Sequence, residues 1–172
     1  MPAKELFSER QRFKQLWLWA VLIGIDVLIL YGLIRQVFFG EPFGNKPASN
    51  GQLLVATVVV LLVTLLFAFL RLDTAIREDG IYYRFLPFQP RYKKISWDRV
   101  SKASVRKYHP IAEYGGWGLR LGLFGKGQAF NVSGNKGLQL VYDNGKKFLL
   151  GTQRPQEMEA ALQQIGQLSR DN

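Results

Sequence analysis

The stretch LLVATVVVLLVTLLFAFL, residues 53–70, decides what kind of chain this is. It carries no charge, and its only polar groups are the hydroxyls of Thr57 and Thr64. At a helical rise of ~1.5 Å per residue it extends ~27 Å, close to the hydrocarbon thickness of a bilayer. A core helix of that length in a soluble domain would keep a polar face, and this one has none. A second run, LWLWAVLIGIDVLILYGLI at 16–34, repeats the pattern with Asp26 as its one charge. The mean hydropathy of the whole chain, −0.03, hides these two apolar populations among basic, polar segments. The pattern predicts two membrane-spanning helices.

The expected organisation is a cytosolic N-terminal segment over 1–15, a first span over 16–39, a short extracytoplasmic loop over 40–52 and a second span over 53–71. A cytosolic domain over 72–172 follows, closed by a helix at about 155–168. The apolar part of the first run exceeds the ~7–15 residues of a signal-peptide core, and no small-x-small cleavage pattern follows it. It reads as an uncleaved anchor, with Trp17 and Trp19 at one end and Phe38 and Phe39 at the other, where interfacial rings settle. Lys4, Arg10, Arg12 and Lys14 precede the first span, the connection to the second carries only Arg35 and Lys46, and the remaining 17 of the 23 basic residues follow it. Basic flanks stay inside, so the expectation is a multi-pass protein of the inner (cytoplasmic) membrane with both termini cytoplasmic. The loop GEPFGNKPASNGQ is rich in turn formers and reads as a simple turn.

After the second span the period changes to two. In IYYRFLP, Ile81, Tyr83 and Phe85 alternate with Tyr82, Arg84 and Leu86, and Asp143-Asn144-Gly145 is a strong hairpin signal. In WGLRLGLFG, Trp117, Leu119, Leu121 and Leu123 share one face. About seven or eight short strands are expected, which favours a small barrel or sandwich. In TQRPQEMEAALQQIGQL the period becomes helical, with Met158, Ala161, Leu162, Ile165 and Leu168 as the apolar stripe and Pro155 at the first turn. The fold class is therefore α+β: a two-helix transmembrane hairpin, then a mostly antiparallel β barrel or sandwich capped by one C-terminal helix.

The hairpin-rich strands, the KKISWDRV segment, and a last strand running through GTQRPQEMEAALQQI into one helix resemble the bacterial pleckstrin-homology-like (PH-like) domain over roughly residues 72–168. The resemblance implies a partly open barrel capped by a helix, in a membrane-anchored bacterial setting. It implies no ligand, since such domains bind proteins or, in some cases, lipid headgroups.

Three groups of residues carry candidate contacts. Asp26 lies near mid-span, where a charge costs ~3 kcal/mol on insertion scales and calls for a partner. Thr57 and Thr64, seven residues apart on one face of the second span, could bond to it, as could a second copy of the chain or another membrane protein. The turn FLPFQPRYKK offers Phe88 with Arg84, Arg91, Lys93 and Lys94 to a membrane surface or lipid headgroup, against the plainer reading of a solvated hairpin. The glycines of EYGGWGLRLG allow close backbone approach. Gly115, Gly116, Trp117, Gly118 and Arg120 therefore form either a bent barrel strand or a groove where a partner adds a strand.

Catalytic signatures fail. Gly116-Trp117-Gly118 reaches its next glycine at 122, one position too far for a dinucleotide loop. Gly125-Lys126 lacks both the first glycine and the Ser or Thr of a P-loop. With no Cys there are no zinc thiolates, with one histidine, His109, no His-based metal cluster or triad can be assembled, and no cofactor is expected. The sequon Asn131-Val132-Ser133 falls on the side expected to be cytosolic. A net charge of +10 raises nucleic acid as a partner, but the basic residues are spread and a membrane anchor already explains them. The function read from sequence is a non-enzymatic adaptor holding its domain at the membrane for a protein partner. The alternatives are anionic headgroup recognition and, less favoured, a small membrane enzyme.

Overall fold

The computed structural model describes residues 3–121 and 127–169. The chain divides into a helical unit, Lys14–Phe69, and a β unit made of the residues up to Phe13 together with those from Leu70 onward.

In the helical unit, α1 (Leu16–Phe38) and α2 (Asn50–Phe69) are both long and apolar enough to cross a membrane. At ~1.5 Å per residue they reach ~35 and ~30 Å. Most of their large apolar side chains are exposed. α2 starts three residues before the apolar run because Ser49 and Gln52 form a capping box. The Ser49 N–H donates to Gln52 Oε1 (3.0 Å) and the Gln52 N–H donates to Ser49 Oγ (3.3 Å). The connection is more than a simple turn. The Gln36 amide donates to Ala48 O (2.7 Å) and Asn50 Oδ1 (2.8 Å) and accepts from the Phe43 N–H (3.2 Å), while Arg35 pairs with Glu41.

The β unit holds two sheets. The first is β1 (Glu5–Arg12), β2 (Arg71–Arg77), β3 (Gly80–Leu86) and β4 (Gln89–Ile95), antiparallel in that order. The second comprises β5 (Val100–Lys107), β6 (Gly118–Leu121), β7 (Gln128–Asn131), β8 (Lys136–Tyr142) and β9 (Lys147–Gly151) in the order β5-β8-β9-β7-β6, with only β7 and β9 parallel. Among the described residues the β unit also holds two short helices, α3 (Pro110–Tyr114) and α4 (Pro155–Gln164). Among the described residues no closed barrel forms.

The N-terminal segment corrects the expected layout. β1 is no free flank but an edge strand paired along its length with β2. Its inward positions explain why it escaped notice: beside Phe7 they carry Glu9 and Gln11, both buried, so no apolar alternation announces a strand. The Glu9 carboxylate accepts from Gln11 Nε2 (3.1 Å), Thr152 Oγ1 (2.7 Å) and the Gln153 N–H (2.9 Å), which ties β1 to the β9–α4 junction. Gln11 also donates to Gly151 O (2.7 Å).

The core lies where the sheets face each other. Tyr83 and Phe85 of the first meet Phe130 and Phe148 of the second, with ring centroids 5.0–5.9 Å apart. α4 adds Met158, Ala161 and Leu162. It stops earlier than the apolar stripe suggests because Gly166, at φ +67°, takes the left-handed position that ends a helix, leaving Ile165 and Leu168 half-buried. Leu119 is 48% exposed on β6, a short strand at the edge of its sheet among the described residues. Gly122 and Leu123, read as continuing that strand, lie outside the described residues, as do Gly125 and Lys126.

Burial pushes the Tyr83 phenol up from the ordinary 10.0 to about 12, with Tyr142 adding to the shift. Tyr108 is likewise pushed to about 12, burial outweighing its hydrogen bond from Asn131. The fold thus holds both phenols neutral. Their contribution is intact below pH 10.0 and lost as pH rises toward about 12. Alkaline titration should show circular dichroism lost together with the late rise in phenolate absorbance, and Tyr83→Phe should move that midpoint upward. If all phenols titrate near the ordinary value with the dichroism unchanged, this account of the core fails.

Candidate functional site

Three places were anticipated, and the fold treats them differently. Asp26 is 8% exposed and, with Gly32, one of two buried residues of α1. Its Oδ1 has no hydrogen-bond partner. The expected threonines do not supply one: the Thr57 hydroxyl donates to Leu53 O one turn back (2.8 Å), the usual resort of a helical threonine, and Thr64 Oγ1 is unpartnered.

The turn FLPFQPRYKK does not form one cationic cluster. Successive side chains of a strand point to opposite faces, so Lys93, opposite Tyr83, and Lys94, opposite Tyr82, diverge. Lys94 is committed to Asp79 (2.6 Å), whose carboxyl also accepts from the Tyr82 hydroxyl (2.8 Å). The Lys94 bond, then the Tyr82 bond, holds the Asp79 carboxyl below its ordinary value. Arg84 faces outward with Tyr82, and Arg91 is exposed. Phe88 is 63% exposed and stacks on Phe85 at 6.4 Å. Its turn joins β3 to β4 at the end of the sheet where Arg12 pairs with Arg71 and Arg71 with Leu86.

The glycine stretch is built as a bent edge. Gly115 caps α3 in the left-handed region, and its N–H donates to Ile111 O (2.9 Å); Gly116 and Gly118 follow at φ +119° and +113°. Trp117 is bolted by its ring N–H to Gly134 O (2.9 Å), and the Gly118 N–H donates to Asn131 Oδ1 (2.8 Å). Arg120 folds back so that its Nε donates to Trp117 O (3.0 Å), and its Nη2 lies 3.6 Å from where a Gly116 Cβ would be. The space opened by the glycines is therefore roofed by Arg120, while the outer edge of β6 has no strand beside it among the described residues. Asn131, the sequon residue, is buried and donates to the Tyr108 hydroxyl (3.0 Å).

Sequence reasoning missed a fourth place, the outer face of the first sheet. Register puts Arg10, Asp73 and Arg84 in one row and Ser8, Ala75 and Tyr82 in the next. Three guanidiniums gather at Asp73: the Nε atoms of Arg10 (3.2 Å) and Arg84 (2.8 Å) donate to its carboxylate, and that of Arg71 lies 3.2 Å away as an ion pair without a hydrogen bond. The Asp73 side chain is only 5% exposed, whereas that of Arg10 is 60% exposed. The bond to Asp73 raises the Arg84 pKa. The Arg84 guanidinium also lies over the Tyr92 ring (4.4 Å), and that of Arg77 over Tyr82 (4.7 Å). A groove of about 600 Å³ runs beside this row, floored by Ser8 and Ala75 and flanked by Arg10, Arg77, Tyr82 and Tyr92. The alternation in RLDTAIR places Arg71 and Asp73 on one face, but nothing local identifies Arg10 as their neighbour.

One sequence family, described as "Family of unknown function (DUF6141)", matches residues 3–166. No curated protein matches the chain.

Proposed function

The chain belongs to DUF6141, a family of unknown function whose match embraces β1, both helices and both sheets, and we propose a membrane-anchored reading for it from its own helices and strand pairing. It is an integral protein of the bacterial cytoplasmic membrane that presents a PH-like domain at the cytoplasmic face as a non-enzymatic adaptor for a protein partner. The observation that carries this reading is the pairing of β1 with β2. Arg12 lies opposite Arg71, yet the two are separated in sequence by both long apolar helices. The helices are an insertion within one β hairpin, and that hairpin can close only if both its strands lie on the same side of a bilayer. An even number of crossings satisfies this, and the basic bias of the flanks favours the cytoplasmic side. Helices also satisfy their own backbone hydrogen bonds, as spanning segments must.

The outer edge of β6, unpaired among the described residues, supports with half-exposed Leu119 strand addition by a protein partner. A second copy of the chain or another membrane protein opposite Asp26 fits the same reading. Anionic headgroup recognition is the second reading. It is favoured by exposed Phe88 at the sheet end that carries the connections to both helices.

In native membranes the chain should resist carbonate extraction, and its C-terminal domain should survive protease added to intact cells. A photoreactive residue at position 119 should crosslink to one defined membrane protein. Recovery in the soluble fraction would end the membrane reading, digestion from outside would end the cytoplasmic placement, and an absence of protein crosslinks would end the adaptor reading.

A further inference from the structure

Three guanidiniums converge on Asp73, and one carboxylate cannot neutralise three cations. Two positive charges are left over at a place where repulsion among the arginines would otherwise drive them apart. Arg10 and Arg84 hydrogen-bond Asp73 through Nε, Arg71 Nε lies 3.2 Å from it with no hydrogen-bond partner of its own, and the terminal amino groups of Arg10 and Arg71 have no acceptor among the described residues. Asp73 therefore acts as an organiser: it orders the guanidiniums and leaves their outer forks directed away from itself.

We propose that this face binds a phosphate group, in which Arg10, Arg71 and Arg84 hold a phosphomonoester dianion. Such a dianion supplies the two missing negative charges and offers acceptor oxygens matched to the planar guanidinium fork. The adjoining groove has room for what the phosphate is attached to. Its floor is Ser8 and Ala75, small side chains in register, and Tyr82 and Tyr92 give it apolar walls. Glu5, at the far end, is paired with Arg77 (3.3 Å) and does not oppose the phosphate end.

The source of the phosphate is either a lipid headgroup or a free phosphate compound. The headgroup source alone rests on the membrane reading. Arg71 is separated from α2 by the single residue Leu70, which under that reading holds the arginine row near the headgroup layer.

The test uses the full chain. Inorganic phosphate is titrated calorimetrically into the protein in phosphatidylcholine nanodiscs, against sodium chloride at equal ionic strength. Separately, retention of phosphatidate is measured after purification in neutral detergent. Saturable binding of either probe, one per chain, is expected. Arg10→Gln should weaken it by about tenfold or more, the loss of one charge-assisted contact. Lys136→Gln, removing an exposed charge from the second sheet, should leave it unchanged. Phosphate binding marks a site open to free phosphate compounds, and retention of phosphatidate alone marks the lipid as the source. Absence of binding by both probes, matching heats with chloride, or equal weakening by the two substitutions would overturn the site. A chain that binds phosphate but fractionates as soluble would overturn the membrane reading and leave the site standing.

Discussion

Phe130→Ala is expected to destabilise the β unit by about 3–5 kcal/mol and to lower its melting temperature by on the order of 15 °C. Phe130 is 5% exposed and touches rings from both sheets: Tyr83 and Phe85 across the interface and Phe148 from the neighbouring strand β9. Truncation removes the buried ring and leaves a cavity that strands held in register cannot close. It also removes edge-to-face contacts worth ~0.5–1.5 kcal/mol each beyond burial. Phe130→Leu, which refills much of the space, should recover about half of the loss. Thermal unfolding of the full chain in detergent, followed by tryptophan fluorescence, measures it. A shift of less than ~3 °C for the alanine variant would mean that the two sheets do not share this core.

Glu9→Leu should destabilise the same unit by about 3 kcal/mol, through a different mechanism. The leucine fits the buried position in size but abandons three donors: the Thr152 hydroxyl, the Gln153 N–H and the Gln11 amide. Each then lacks a charged acceptor in a site that water does not reach freely, and unmade bonds of this kind cost ~1–3 kcal/mol. The loss should be spatially specific. Hydrogen exchange should accelerate first along β1 and at the β9–α4 junction, while the β8–β9 ladder keeps its protection. Glu9→Gln, which keeps acceptor capacity without the charge, should fall between. Uniform acceleration across both sheets, or none, would show that Glu9 does not fasten the N-terminal strand.

These effects fall on features that differ in how visible they are in the residue order. The aromatic core was half visible: the alternation of Ile81, Tyr83 and Phe85 marked an inward face, but that Phe130 and Phe148 lie opposite depends on the sheets' facing each other. The Glu9 fastening was invisible. A buried carboxylate reads as a surface residue until its three donors, two of them more than a hundred positions away, are brought to it. The candidate headgroup set shows a third case. FLPFQPRYKK is contiguous, and contiguity suggested a cluster, but the strand period sends Lys93 and Lys94 to opposite faces. The cations that do cluster come from β1, β2 and β3.

Residue order alone determined the two apolar helices, the hairpin at Asp143-Asn144-Gly145 between β8 and β9, and the start of α4 at Pro155. Apolar length, turn chemistry and helix-start signals are local properties, complete within a few neighbouring residues. Only the tertiary structure decided that β1 joins the sheet across the helical insertion, that Arg120 roofs the glycines of β6, and that Arg10, Arg71 and Arg84 meet at Asp73. Arg10 reaches Asp73 across 63 positions and Arg84 across 11. Such meetings follow from which strands pair and in what register, a choice made by burial over the whole domain.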